Sequence, residues 1–323
     1  MRDEKLSILL ITPAMYPKRV GGVGRVVYEL SREFSRRGHI VYTFSVDDAP
    51  RIERKGLRTP SFVIAGSLKQ IACRGKSKFD IVHAHEFPAS VPALFVHASA
   101  RLLTFHGPYS ERISQLYGTF FGDIAWVVES FMVHHFDAIT CVARSTIDRY
   151  KKRKINMIHI PNGVNLQQID AVKKSIREYD PQILFVGRAS PEKGYHVLKK
   201  AEKILGLRIK YLFNVPWETT IAYMKGSDLI VIPSLGEGLP LVLLEAMALN
   251  KKIVASNIDE IPLVLGNNGV LVPPGDPHAL AEGIKKALDM PTPRTRSIIE
   301  RSYTWSTIAD RYLTLYSYIL TKS

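Results

Sequence analysis

Short apolar runs alternate along the chain with segments whose apolar residues recur every three or four positions. The runs predict strands that are buried on both faces, and the second pattern predicts amphipathic helices. The predicted strands cover residues 7–12, 39–46, 79–83, 102–105, 138–142, 183–186, 209–213, 228–232, 252–255 and 269–272. This alternation is typical of right-handed βαβ units, so we expect an α/β fold with two parallel sheets.

Three of the helical segments are informative. The first covers residues 22–37 and ends at Gly38, a residue type that commonly terminates helices. A long apolar helix is predicted for about 112–135. The last segment is amphipathic, and its apolar residues are Trp305, Ile308, Tyr312, Leu315 and Ile319.

Chain length and turn signals indicate two domains. A turn cluster at residues 161–165 divides the 323-residue chain near its middle. We expect an N-terminal domain at 1–164, a C-terminal domain at 165–302, and a terminal helix at 303–323 that packs back on the first domain.

Neither a membrane-spanning segment nor a signal sequence is predicted, because the apolar start at residues 8–11 is too short. The two cysteines, Cys73 and Cys141, show no disulfide or metal spacing. We therefore expect a cytoplasmic protein.

Positive charge is concentrated in the first half of the chain. The formal net charge is +14, and residues 1–164 hold 24 Lys and Arg against 14 Asp and Glu, a balance of +10. The densest run covers residues 149–154. This charge favours an anionic surface, either membrane headgroups or nucleic acid, although a solvated surface without a partner explains it equally well.

Two carboxylates, Glu237 and Glu245, bracket a glycine-containing loop and the start of an apolar helix. The loop follows a predicted parallel strand, at the end where α/β folds bind ligands. Pro240 suits the first helical position, which leaves the backbone N–H groups of Leu241 and Val242 available to an anion. Glu245 lies one turn inside among apolar residues, so its charge requires a polar partner.

Glycines and basic residues follow other predicted strands. Gly21, Gly22 and Gly24 open a helix after the first strand, as in loops that bind phosphate, and a role only in the turn and in close helix packing is the alternative. Arg188 and Lys193 flank the start of another helix. Together they would neutralise a diphosphate, and a structural Arg with a surface Lys is the alternative.

Histidines also lie at predicted strand ends. His106 follows the strand at 102–105, where it can donate a hydrogen bond to a polar substrate or serve structure alone. His83 and His85 share one strand face and could join His106 around a metal. No carboxylate or cysteine spacing completes that set, so we predict no metal site.

In these segments the chain resembles the retaining glycosyltransferases of family 4. The matching segments are residues 21–24, 79–85, 105–107, 160–164, 186–188 with 193–194, and 237–245. The resemblance implies the GT-B fold, in which two Rossmann-like domains face a central cleft.

The resemblance also implies a donor, a nucleoside-diphosphate sugar such as a UDP-, GDP- or ADP-sugar, that binds mainly on the second domain without a metal or other cofactor. Arg188 and Lys193 correspond to the pyrophosphate-binding pair, Glu245 to the carboxylate that holds the ribose hydroxyls, and Glu237 to the one beside the donor sugar. The implied catalytic residues are His106, Glu237, Arg188 and Lys193, and the implied donor-binding residues are Gly22, Arg188, Lys193, Val215, Glu237, Gly238, Leu239, Pro240, Leu241 and Glu245.

By the same resemblance, the reaction retains the anomeric configuration, and the leaving phosphate accepts the proton of the acceptor hydroxyl. The acceptor is a sugar, a glycan or a lipid-linked molecule. We expect peripheral attachment to the inner membrane face through the basic half, without nucleic acid as a partner.

The chain departs from the family pattern at three places. The second domain is shortened, with a single strand between the helix after Lys193 and the strand at 228–232. Asn214 stands where the family usually has glycine. Leu263, after Pro262, replaces the usual acidic residue.

Two other classes of protein fit parts of the sequence. Asp47 and Asp48 end the second predicted strand, where an NAD-dependent oxidoreductase places its ribose-binding acid. A non-catalytic basic protein on nucleic acid would use the run at 149–154, but Tyr150 is its only aromatic residue. The oxidoreductase alternative gives no role to Glu237, Glu245, Arg188 and Lys193.

Overall fold

The computed structural model describes residues 5–18, 21–50, 52–54, 57–73, 78–152 and 154–322. The chain forms two compact units, unit 1 (Met1–Pro161 with Ile308–Ser323) and unit 2 (Asn162–Thr307).

Each unit contains one sheet whose neighbouring strands all pair in parallel, as the alternating pattern predicts. The strands of unit 1 are β1 (Ser7–Thr12), β2 (Ile40–Ser45), β3 (Phe79–His85), β4 (Ala98–Phe105), β5 (Ala138–Cys141) and β6 (Ile158–His159). Their order in the sheet is β2-β1-β3-β4-β5-β6. The strands of unit 2 are β7 (Ile183–Val186), β8 (Ile209–Leu212), β9 (Leu229–Ile232), β10 (Lys252–Ser256) and β11 (Val270–Val272). Their order is β11-β10-β9-β7-β8.

Helices connect the strands in both units. Those of unit 1 are α1 (Gly22–Arg36), α2 (Arg58–Cys73), α3 (Phe87–Leu94), α4 (Tyr109–Tyr117), α5 (Thr119–Met132) and α6 (Arg144–Lys151). Those of unit 2 are α7 (Leu166–Ala171), α8 (Tyr195–Leu205), α9 (Trp217–Gly226), α10 (Leu241–Ala248), α11 (Ile261–Leu265), α12 (Pro277–Asp289) and α13 (Arg296–Ser302). The last helix, α14 (Trp305–Leu320), begins in unit 2 and ends in unit 1.

The two faces of β3 differ in chemistry. Val82 and Ala84 point into an apolar cluster that includes Phe62 of α2. His83 and His85 occupy the alternate positions and are fully buried, because successive side chains of a strand point to opposite faces.

The prediction of one long helix over 112–135 is wrong. The segment forms a hairpin of α4 and α5 that is broken at Gly118, whose φ of 95° lies in the left-handed region. A Cβ on Gly122 would lie 2.5 Å from the Cβ of Ser114. The two helices can therefore pack together only because residue 122 lacks a side chain.

Unit 2 has one strand, β8, between α8 and β9, as the shortened pattern predicts. Within the described residues, no helix is long and apolar enough to cross a membrane.

Candidate active site

Two loops of unit 2 leave the same edge of the sheet. β7 and β9 are parallel neighbours, so the segments after Val186 and Ile232 emerge side by side. The backbone N–H of Leu235 in the second loop donates to the carbonyl oxygen of Glu192 in the first, at 2.8 Å. Gly238 lies further along the second loop, directly before Leu239 and α10.

Gly194 permits this close approach. Its φ of 65° is left-handed, and a Cβ at this position would lie 1.7 Å from the carbonyl oxygen of Pro233. Any other residue would push the loops apart. The neighbouring Lys193 is the last residue of the short 3₁₀ turn Pro191–Lys193.

Lys193 and Glu237 meet where the loops touch. Lys193 Nζ donates to Glu237 Oε1 at 2.5 Å, and the side chains are 25% and 11% exposed. The Ser234 hydroxyl donates to the same oxygen at 2.7 Å, and the backbone N–H of Glu237 donates to Asp259 Oδ2 at 3.0 Å. A cation near the start of α8 is unfavourable unless an anion lies beside it, and the Glu237 carboxylate supplies that anion.

Arg188 and Lys193 contact different carboxylates. The Arg188 guanidinium pairs with Glu192, four residues along its own loop, and its side chain is 65% exposed. Lys193 reaches across to the second loop instead. The structure therefore joins Lys193, Glu237 and Ser234 directly and leaves Arg188 at the solvent-facing side of its loop.

The helix after Glu237 begins one residue later than its sequence suggests. Pro240 is the N-cap of α10, Leu241 is its first residue, and no side chain caps it through a hydrogen bond. Asn162 Nδ2 donates to the carbonyl oxygen of Leu239 at 2.7 Å and holds the loop just before this end. The first-turn N–H groups of α10 are therefore not used by a capping side chain, as an anion-binding helix start requires.

Glu245 is 7% exposed on α10, as its apolar neighbours indicate. The indole N–H of Trp217 donates to Glu245 Oε1 at 2.7 Å. Sequence reasoning required a polar partner for this carboxylate but did not identify Trp217, which lies at the start of α9 directly after Val215 and Pro216.

Asn214, which stands where the family usually has glycine, lies in a backbone conformation that glycine adopts readily. Its φ is 53°, in the left-handed region, which asparagine adopts more readily than most residues. The loop that carries Val215 is therefore compatible with asparagine at position 214.

In unit 1, the glycines after β1 have different roles. A Cβ on Gly24 would lie 2.8 Å from the carbonyl oxygen of Ala14, so packing requires glycine there. Among the described residues, a Cβ on Gly22, the first residue of α1, would meet nothing within 4 Å, so packing against them does not require glycine there.

His106 belongs to a row of three imidazoles. Its Nε2 lies 3.1 Å from His85 Nδ1, and the ring centroids of His85 and His83 are 3.9 Å apart. His83 is held by Tyr316 Oη at 2.7 Å and by Thr104 Oγ1 at 2.6 Å. Burial, together with the neighbouring imidazoles, lowers the pKa of His83 and of His85 well below 6.5, so both are neutral at pH 7.

The groups that suggested other protein classes have structural roles here. Asp48 accepts hydrogen bonds from the backbone N–H and hydroxyl of Ser45, at 2.8 and 2.9 Å, in the 3₁₀ turn Val46–Asp48 that follows β2. Tyr150, the one ring in the basic run, is buried. Among the described residues, no three His, Cys, Asp or Glu side chains are grouped to hold a metal.

Two family models match the chain consecutively. Glycosyltransferase Family 4 matches residues 20–168, and Glycosyl transferases group 1 matches residues 163–290. The phosphatidyl-myo-inositol mannosyltransferase of Mycobacterium leprae is 28% identical over 75% of this chain and 74% of its own length.

Solved structures share the fold across the chain. The sucrose-phosphate synthase of Thermosynechococcus elongatus superposes with a TM-score of 0.77 and 20% identity, covering 99% of this chain and 100% of that one. HepE from Anabaena, solved in complex with UDP-glucose, has a TM-score of 0.69 and 16% identity, covering 97% and 99%. The fold is GT-B, and the chain belongs to the family 4, group 1 glycosyltransferases.

Proposed function

We propose that this glycosyltransferase moves a hexosyl group from a nucleoside-diphosphate sugar to a hydroxyl acceptor, with retention of anomeric configuration and without a metal. The observation that carries the proposal is the cluster at the edge of the unit 2 sheet. There, Lys193 contacts Glu237 and the uncapped start of α10 follows, with the buried Glu245 one turn inside.

The charges of this cluster suit a sugar nucleotide. Lys193 and Arg188 would bind the diphosphate. To do so, the diphosphate must replace Glu237 beside Lys193 and Glu192 beside Arg188. The N–H groups at the start of α10, after Gly238 and Leu239, would bind the distal phosphate. Glu245 would accept hydrogen bonds from the ribose hydroxyls, with Val215 beside the nucleoside.

The chemistry depends on stabilising the leaving group. The bond between the anomeric carbon and the phosphate oxygen breaks, and its electron pair leaves with the diphosphate. The acceptor hydroxyl attacks the same face of the sugar and loses its proton to the departing phosphate oxygen. Lys193 and Arg188 would stabilise the growing negative charge, and Glu237 would position the sugar.

We further propose a lipid-linked or glycan acceptor at the cytoplasmic face of a membrane. The relative from Mycobacterium leprae is named for a lipid acceptor, phosphatidyl-myo-inositol. The positive balance of +10 in residues 1–164 suits an anionic headgroup region.

A panel of UDP-, GDP- and ADP-sugars, with NAD as the negative control, tests the donor by thermal protection and product formation. Lys193→Ala and Glu245→Ala should each weaken binding of the preferred donor about 10- to 100-fold, because each removes a charged hydrogen-bond partner. Lys285→Ala is the matched control, since Lys285 pairs with Glu282 on the surface of α12.

Unchanged affinity in both site variants would refute the proposed site, and protection by NAD alone would refute the donor class. Proton NMR of the first-formed product reports whether the anomeric configuration is retained. Activity that disappears with EDTA and returns with a divalent cation would refute metal independence.

A further inference from the structure

Helix α5 has its apolar side facing solvent. Seven large apolar side chains of α5 are 42–69% exposed, and one of them is Trp126. The other six are Phe120, Phe121, Ile124, Val127, Val128 and Phe131. At 100° per residue these six occupy an arc of about 120° on the helix, and Trp126 lies outside it. The opposite side, which carries Gly122, Glu129 and Met132, is buried, and Glu129 has no exposure. We call the six exposed side chains the α5 stripe.

The orientation of α5 is fixed by the hairpin, not by the hydrophobicity of its faces. Gly118 reverses the direction of the chain between α4 and α5. Ser114 of α4 packs directly against the backbone of Gly122, where a side chain would leave no room for it. Rotating α5 to bury the stripe would replace this glycine contact with bulky side chains. The exposure of the stripe is therefore built into the packing of the two helices.

Exposed apolar side chains are also present on helices near α5. Ile64, Leu68 and Ile71 are 46–64% exposed at helical spacing on α2, and both α2 and α5 pack against α3. Tyr117, at the end of α4, is also exposed. A surface with this many clustered large apolar side chains indicates a binding partner, because single exposed apolar residues are common but large contiguous groups are not.

Cations lie beside this surface. Arg149 of α6 pairs with Glu111 of α4 at 3.0 Å, so α6 is held against the hairpin. The exposed residues Lys151, Lys152 and Lys154 follow at the end of α6, and Arg153 between them lies outside the described residues. Asp123, the exposed acid of α5, falls just outside the arc of the stripe.

We propose that the α5 stripe and the lysines after α6 form a docking surface for an anionic lipid membrane, with α5 lying in the interface. This inference deepens and rests on the membrane-facing part of the proposed function. Large aromatic and aliphatic side chains next to lysines are typical of helices that lie in an interface. A 14-residue helix is too short to cross a bilayer, which needs about 20 residues.

Charge favours a lipid surface over a second copy of the chain. Two copies that met through this face would bring together halves with a balance of +10 each, and like charges oppose that contact. An anionic bilayer attracts the same charge, and it accepts the apolar stripe without needing a complementary shape.

The test is flotation of the full chain with vesicles of phosphatidylcholine containing 30% phosphatidylglycerol. The double variant Phe120→Ser/Phe131→Ser should weaken vesicle binding by at least about tenfold at every salt concentration, because burial of two phenyl rings is lost. Tyr318→Ser is the matched control, since Tyr318 is 53% exposed on α14, and it should bind like the unaltered chain.

The lysines contribute differently. The triple variant Lys151→Gln/Lys152→Gln/Lys154→Gln should weaken binding at low salt by about fivefold per lysine and should remove most of the salt dependence. The stripe variant, Phe120→Ser/Phe131→Ser, should keep some vesicle binding, and this remaining binding should weaken as the salt concentration rises. This division separates the apolar contribution from the electrostatic one.

Three outcomes would overturn the proposal. One is vesicle binding that the variant Phe120→Ser/Phe131→Ser leaves as strong as in the unaltered chain, and another is no vesicle binding by the unaltered chain. The third is a dimer in sedimentation equilibrium that the stripe variant dissociates, which would identify a second copy as the occupant. Protection by sugar nucleotides is measured without vesicles, so failure of the docking surface and failure of the proposed donor site are distinguishable.

Discussion

The Lys193–Glu237 contact depends on the backbone beneath it. Both side chains are mostly shielded from solvent, and their loops meet because Gly194 has no side chain. The sequence shows a glycine after a lysine, but only the structure shows that a carbonyl oxygen occupies the place of its Cβ.

Gly194→Ala should destabilise the protein by about 2–5 kcal/mol. An alanine in the left-handed backbone conformation of residue 194 costs about 1–2 kcal/mol. Displacement of Pro233 by the added Cβ costs about 1–3 kcal/mol more. Gly206→Ala is the control, because Gly206 has a similar φ of 67° and no atom of the described residues lies within 4 Å of an added Cβ. This variant should lose only about 1–2 kcal/mol, the cost of the left-handed conformation. Urea unfolding measures both, and equal losses would show that the contact with Pro233 is unimportant.

Glu245 shows how far residue-level prediction reached. Its apolar neighbours imply burial and a polar partner, and burial is confirmed. The partner is Trp217, 28 positions earlier in the chain. A contact over that separation depends on how α9 and α10 pack, which no local pattern specifies.

At the scale of elements, β3 carries two buried imidazoles on one face. His83 and His85 are neutral in the folded protein because burial lowers the pKa of each. Tyr316 of α14 contacts His83, and burial raises the pKa of this phenol, so it too stays neutral. His83, His85 and Tyr316 therefore form a polar network without charge inside unit 1.

This network predicts acid sensitivity. Unfolding releases imidazoles that bind protons below about pH 6.5, while the folded state resists protonation until the lowered pKa is reached. The stabilisation is therefore complete above about pH 6.5, and the free energy of unfolding should fall by up to about 1.4 kcal/mol per pH unit for each histidine as pH decreases to 5.

Urea unfolding between pH 7.5 and 5 measures this slope. His85→Gln should lower the slope by the amount that one histidine contributes. A slope that His85→Gln leaves unchanged would contradict the assignment.

The strands were more predictable than the helices. Parallel strands buried on both faces appear as short continuous apolar runs, and β1, β7 and β9 coincide with such runs to within a residue. The sequence did not predict the hairpin of α4 and α5. A glycine inside an apolar helical pattern can lie within a continuous helix or be required for a turn and a close contact, and the pattern is the same in both cases. Only the contact between Gly122 and Ser114 distinguishes the two cases.

At the scale of the whole molecule, the chain leaves unit 1 after residue 161 and returns to it at residue 308 within α14. The apolar spacing of the last segment predicted an amphipathic helix that packs on a core. The expectation that it packs back on the N-terminal domain named no partner residue, because the contact of Tyr316 with His83 joins positions more than 200 residues apart.

Deletion of residues 308–323 should therefore unfold unit 1 and spare unit 2. The deleted segment contributes five large buried side chains, namely Ile308, Tyr312, Leu315, Tyr316 and Ile319. At about 1.5–3 kcal/mol each, their loss matches the whole stability of a typical domain, about 5–15 kcal/mol. Hydrogen exchange should show rapid exchange in β1 and β3 with retained protection in β7 and β9. Removal of only the last three residues is the control, and protected β3 amides in the longer deletion would mean that unit 1 is stable without α14.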